Sequence, residues 1–110
     1  MTDRELLELA AKAAGEYYGE WSDRSNSFRT RYAGYWKEWN PLTDDGDALR
    51  LAVKLKLTPH LYSGTHTYIS TDEVNDPEGY DCSEFWGDDP YAATRRAIVR
   101  AAAEIGKAMK

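Results

Sequence analysis

The sequence predicts an α+β domain in which three helices pack around a small, mainly antiparallel sheet of three to four strands, in the order α-β-α-β-β-α. Three observations predict it. Three stretches carry apolar residues at helical spacing behind clear start signals. Residues 28–37 alternate with the two-residue period of a strand. Residues 60–70 read as a hairpin around Gly64. A chain of 110 residues fits a single domain over residues 1–110, with one core.

The first helix is expected at about residues 2–14. Thr2 and Glu5 stand at capping-box spacing, so the hydroxyl can accept from the N3 amide while the carboxylate reaches back. Leu6, Leu9, Ala10 and Ala13 fall on one stripe, and Gly15 suits the left-handed position past the helix end. Residues 16–27 read as loop. In the strand at 28–37, Phe28, Thr30, Tyr32, Gly34 and Trp36 share one face, and Arg29, Arg31, Ala33, Tyr35 and Lys37 the other. Gly34 reads as a bulge or a close approach.

Pro41 keeps Asn40 out of the helical region, so the second helix begins after it, behind Asp44-Asp45-Gly46-Asp47. Its apolar positions, Ala48, Leu49, Leu51, Ala52, Val53 and Leu55, cover over half the circumference, as in a helix buried against a sheet. Thr58-Pro59 closes it. The hairpin that follows allows two loops. A two-residue Gly64-Thr65 turn sends His60 and His66 to opposite faces; a three-residue Ser63-Gly64-Thr65 loop puts them on one face with Tyr62 and Tyr68. Residues 71–89 form a long acidic connection with room for a short strand around 80–85. The third helix spans about 90–108, with Pro90 at its first position and Ile98, Ala101, Ala102 and Ile105 as its buried stripe.

Composition narrows the function class. The apolar fraction of 42% and charged fraction of 30% are those of an ordinary globular domain. No apolar run approaches the ~18 residues that span a bilayer, so no membrane partner is expected. One cysteine, Cys82, excludes an intrachain disulfide and fits a reducing compartment. The net charge of −5 weighs against direct nucleic-acid binding by the whole surface.

Catalytic chemistry finds little support. Asp44, Asp45 and Asp47 are close enough to suggest a divalent cation, but Leu49, Leu51 and Leu55 occupy positions where a calcium loop needs ligands. These acids, like Asp88 and Asp89 before Pro90, read as helix caps. His60, His66 and Cys82 make no complete zinc set. Asp81 and Glu84 would raise the Cys82 thiol pKa, the wrong direction for a nucleophile. No phosphate-binding loop or dinucleotide fingerprint is present. No catalytic residue, metal ligand or cofactor is expected, and the chain reads as a non-enzyme.

Two clusters remain. From Asp72 to Asp89 there are eight acids and no Lys or Arg, interleaved with Tyr80, Phe85 and Trp86. Such a surface can mimic a phosphate path and enter a basic groove on a partner, with opposite charge steering the encounter. Asp76, Glu78, Tyr80, Asp81, Glu84, Phe85 and Trp86 are the candidate partner-binding residues, for a host or phage protein that includes members of nucleic-acid-binding complexes. The alternative is a nucleotide or single-stranded nucleic-acid site in the aromatic and basic segment 17–39, using Arg29, Arg31, Tyr35 and Trp39. Against it, aromatics of this kind most simply fill a core, with Tyr35 and Trp21 or Trp39 left at the surface. The basic face of the third helix, Arg96, Arg100 and Lys107, reads as solvated.

The three helical segments carry a resemblance. MTDRELLELAAKAAG (1–15), WNPLTDDGDALRLAVKL (39–55) and DDPYAATRRAIVRAAAEIG (88–106) resemble small proteins encoded by tailed phages and prophages of Gram-negative bacteria. More loosely, the layout is similar to the phage ABA sandwich domain, in which helices flank a small sheet. The resemblance covers about half the chain and leaves 16–38 and 60–87 individual to it. It brings no catalytic residue. It implies a phage accessory protein in the cytoplasm of the bacterial host, of the kind that inhibits host defence, such as an anti-CRISPR.

Overall fold

A computed structural model of the chain describes residues 2–15, 20–24, 27–32, 35–71 and 82–109. Its elements are α1 (Asp3–Ala14), β1 (Glu20–Ser22), β2 (Ser27–Tyr32), β3 (Tyr35–Trp39), α2 (Asp45–Leu55), β4 (Leu57–Tyr62), β5 (His66–Thr71), β6 (Cys82–Phe85) and α3 (Pro90–Ala108). The α+β class and the three helices are as the sequence predicts. The strands are more numerous: two antiparallel sheets of three, β1-β2-β3 and β4-β5-β6, replace one sheet of three to four.

The helix ends follow local chemistry. Thr2 Oγ1 accepts from the Glu5 N–H at 3.2 Å and Glu5 Oε1 accepts from the Thr2 N–H at 3.3 Å, closing the capping box. That backbone donor, with the Thr2 hydroxyl, holds the Glu5 carboxyl below the usual carboxylate range. Gly15 ends α1 at φ 73°. Asp44 caps α2 by accepting from the Asp47 N–H at 2.8 Å, and Asp89 caps α3 by accepting from the Tyr91 and Ala92 N–H groups. Asp47 does something else. It is buried, accepts from the Asn40 N–H at 3.0 Å, and holds Arg50 Nη2 at 2.7 Å. That bond raises the Arg50 pKa further. Helix α2 stops at Lys56, which adopts φ 57°. Pro59, expected to close the helix, instead lies within β4, where an edge strand tolerates its missing N–H.

The expected strand at 28–37 is two strands, and part of the expected loop at 16–27 is β1. Tyr32 pairs with Tyr35, so the chain reverses between them. A two-residue link flips the parity of the faces. Trp39, not Trp36, stands opposite Phe28, and their rings meet edge to face at 6.4 Å. Trp21 and Trp39, one of which was expected at the surface, are both half-buried against the core. The Trp21 indole N–H donates to Asp23 at 2.9 Å, and the Arg4 guanidinium lies 5.2 Å from its ring centre.

The core centres on α3, which touches α1, α2 and every strand of the second sheet. Ala97, Ile98, Val99, Ala101, Ala102 and Ala103 are buried there, a wider stripe than predicted. From α1 come Leu6, Leu7, Ala10, Ala11 and Ala14, and from the second sheet Leu57, Ile69 and Cys82. Helices α1 and α3 approach closely because Gly106 has no side chain; a Cβ there would run into the Leu9 carbonyl. Helix α2 is different. Ala48, Leu51 and Ala52 are buried, but Leu49 and Val53, expected inside, are exposed, because α2 packs mainly on α3 and only lightly on β4. Among the described residues no helix is long and apolar enough to cross a membrane.

Candidate functional site

Strand β4 forms one edge of the second sheet, and both of its faces carry exposed apolar groups. Its hairpin settles the loop that sequence left open. Tyr62 pairs with His66 across the three residues Ser63, Gly64 and Thr65. The Thr65 N–H and hydroxyl both donate to the Tyr62 carbonyl at 2.9 Å, and Gly64 sits at φ 81°, the third position of a type II turn. His60 then lies opposite Tyr68, and all four rings share the outer face.

That face is a ladder of rings. Tyr62 stacks on His66 at 4.7 Å, Phe85 meets His66 edge-on at 6.3 Å, and His60 tilts against Tyr68 at 5.6 Å. His60 Nε2 bonds Ser70 Oγ at 2.8 Å, while His66 Nδ1 turns to Thr65 Oγ1 at 3.1 Å. The two imidazoles thus serve separate neighbours. Among the described residues no group of three His, Cys, Asp or Glu could hold a metal ion. The register adds Thr58 and Ser83 to this face, which among the described residues carries no Asp, Glu, Lys or Arg.

The residues selected from the acidic segment divide three ways. Asp76, Glu78, Tyr80 and Asp81 lie outside the described residues. Phe85 projects outward, 86% exposed, at the end of the ring ladder. Glu84 and Trp86 turn the other way. Glu84 Oε1 takes Arg100 Nη1 at 2.7 Å and lies 3.9 Å from Arg96, which also pairs with Asp3. The basic face of α3, expected to be solvated, is therefore engaged in ion pairs at Arg96 and Arg100. The Trp86 indole N–H donates to the fully buried Thr67 Oγ1 at 2.8 Å, and Thr67 in turn bonds Thr94 Oγ1 at 2.7 Å. This polar chain pins the β6–α3 connection to the sheet.

Of the alternative set, Arg29 and Trp39 fall on opposite faces of the first sheet. Register places Arg29 between Glu20 and Glu38, on the face opposite Phe28 and Trp39. Arg31 and Tyr35 belong to β2 and β3, with side chains outside the described set.

The inner side of β4 holds a feature that sequence reasoning missed. A cleft of ≈ 430 Å³ opens between α2, α3 and β4. Ala48, Ile98 and Trp86 line it, and Leu49, Leu61 and Tyr91 stand at its mouth, 64%, 63% and 71% exposed. Arg95 closes one end. Its Nε donates to the Leu42 carbonyl at 2.8 Å and its Nη1 pairs with Asp45 at 2.6 Å. The available signal was the breadth of the apolar surface on α2, more than one neighbouring helix can cover.

The cleft and the ring ladder are surfaces that can bind, and the ladder also sets the Ser70 and Thr65 hydroxyls against the His60 and His66 imidazoles. No family model matches the chain, and no curated protein or solved structure is detectably similar to it.

Proposed function

We propose that this chain is a non-enzymatic accessory protein of phage or prophage origin that acts in the bacterial cytoplasm by binding a host or phage protein. Its most concrete form is an anti-defence, anti-CRISPR-like inhibitor. The observation that supports binding is exposed apolar surface on both faces of the second sheet, with Tyr62 of β4 and Phe85 of β6 on the outer face and Leu61, beside Leu49 and Tyr91, on the inner. Scattered apolar residues are ordinary on a protein surface, but a grouped set of large ones marks interaction sites. The phage setting rests on the resemblance of residues 1–15, 39–55 and 88–106.

The test is affinity capture from a bacterial lysate with quantitative mass spectrometry. The wild type is compared with a variant carrying Phe85→Asp, Leu49→Glu and Leu61→Lys. At least one protein should be enriched on the wild type and lost from the variant. An identical capture profile for the two proteins ends this reading. Saturable, salt-sensitive quenching of tryptophan emission by oligonucleotides would replace it with the nucleic-acid alternative.

A further inference from the structure

We propose that the cleft between α2, α3 and β4 is a docking site for a basic amphipathic helix of the partner, with two bulky apolar side chains one turn apart entering it and lysines or arginines facing its lip. The proposal rests on the protein-binding reading above and names the chemistry of the partner.

Size and lining come first. At ≈ 430 Å³ the cleft is in the range of specific ligand sites, and its lining is almost wholly apolar. Residues four apart on a helix have Cβ atoms about 5–6 Å from each other, so two of them can enter one cleft of this size together. Leu49, Leu61 and Tyr91 at the mouth lose their exposure when it is filled, and they are the anchors a docked helix would cover.

The edge strand decides against an extended peptide. Strand addition needs a row of free backbone donors and acceptors. Pro59 lines the cleft in the middle of β4 and has no N–H to give. A helix satisfies its own backbone and needs only an apolar seat.

Charge selects the sign. Asp45 is on the lip, and the exposed Asp88 and Asp89 immediately precede Pro90, which lines the cleft. Arg95, the one cation lining the cleft among the described residues, is already paired with Asp45. The surplus is negative, so an acidic helix or an anionic amphiphile is repelled and a basic helix is attracted. A second copy is disfavoured for the same reason, since this chain carries net charge −5 and would set one acidic lip against another.

The experiment uses the full chain and two fluorescein-labelled helical peptides. Each has Leu and Phe one turn apart, one flanked by lysines and the other by glutamates. The lysine peptide should bind saturably by anisotropy, at least tenfold more tightly than the glutamate peptide. It should also shift the Trp86 indole signal in NMR spectra. Leu49→Glu and Leu61→Lys should each weaken it at least tenfold while circular dichroism and melting stay unchanged. Glu104→Gln, at an exposed position of α3 that does not line the cleft, should leave affinity within twofold. Equal binding of both peptides, no saturable binding, or indifference to Leu49→Glu and Leu61→Lys overturns the proposal. So does concentration-dependent dimerisation that Leu49→Glu abolishes. A captured partner that Leu49→Glu retains but Phe85→Asp loses sinks this docking site and leaves protein binding standing; capture of no partner at all sinks the broader reading.

Discussion

Helix α3 makes two contacts of opposite character. Toward its C-terminal end it meets α1 across a seam of Leu7, Ala10, Ala14, Ala102, Ala103 and Gly106, so tight that Gly106 has no room for a Cβ. Toward its N-terminal end it meets α2 and β4 and leaves a cleft of ≈ 430 Å³ with large apolar groups at its mouth. One helix thus carries its stability at one end and its unspent apolar surface at the other. Small residues let backbones approach and close the seam. The branched and aromatic residues at the other end hold the walls apart. A protein meant only to fold has no use for the second arrangement, and substitutions should separate the two regions.

The largest effect belongs to the seam. Leu7 is 1% exposed, and Leu7→Ala should cost about 2–5 kcal/mol by urea denaturation, from lost transfer energy plus the cavity left behind. Gly106→Ala should cost about 1–3 kcal/mol, because α1 and α3 must part to admit the methyl group. Leu49→Ser, at the cleft, should change stability by less than about 0.5 kcal/mol. A loss at Leu49 as large as that at Leu7 would erase the distinction between the regions.

Next is the polar chain beneath the cleft. Thr67→Val keeps the side-chain shape but removes the acceptor for the Trp86 indole N–H and the partner of Thr94. Leaving those half-buried groups unmatched should cost about 1 kcal/mol. It should also loosen Trp86, seen as a red shift and broadening of tryptophan emission. Intact stability with unshifted emission would mean that the cleft wall does not depend on this network.

What the sequence made legible follows the range of each interaction. The capping box at Thr2 and Glu5, the caps at Asp44 and Asp89, Gly15 and the span of α3 are all settled within one helical turn, and each was predicted as found. Residues 28–37 read as one strand for a physical reason. Alternation has the same period on both sides of a two-residue reversal, so the pattern runs on while the chain turns back. Ala33-Gly34 lacks the Asn or Asp that usually announces such a turn. The candidate surface was harder still. Phe85 was selected and is exposed, but Glu84 and Trp86, its neighbours, alternate inward to the α3 arginines and to Thr67. The cleft was invisible because periodicity counts apolar residues without saying which find a neighbour: Leu49 and Leu51 look equivalent in sequence, and only packing separates them.

The smallest effect sharpens the seam through its first turn. Glu5 is fully exposed, and its carboxyl is held below the ordinary value of 4.5, first by the Thr2 backbone N–H and then by the Thr2 hydroxyl. A carboxyl whose pKa is depressed in the folded state binds its proton more readily in the unfolded chain. Its contribution is therefore complete above 4.5 and fades as pH falls through the lower, native value. Glu5→Gln keeps an acceptor for the Thr2 N–H but removes the charge. The stability of the two proteins should differ slightly at neutral pH and converge in acid, the wild type losing the larger share. Because α1 is the outer wall of the seam, the same loss should appear as faster amide exchange in its first turn, while the turn of α3 beneath the cleft is unaffected. Stability curves that stay parallel throughout the acid range would show that the box acts through its hydrogen bonds alone.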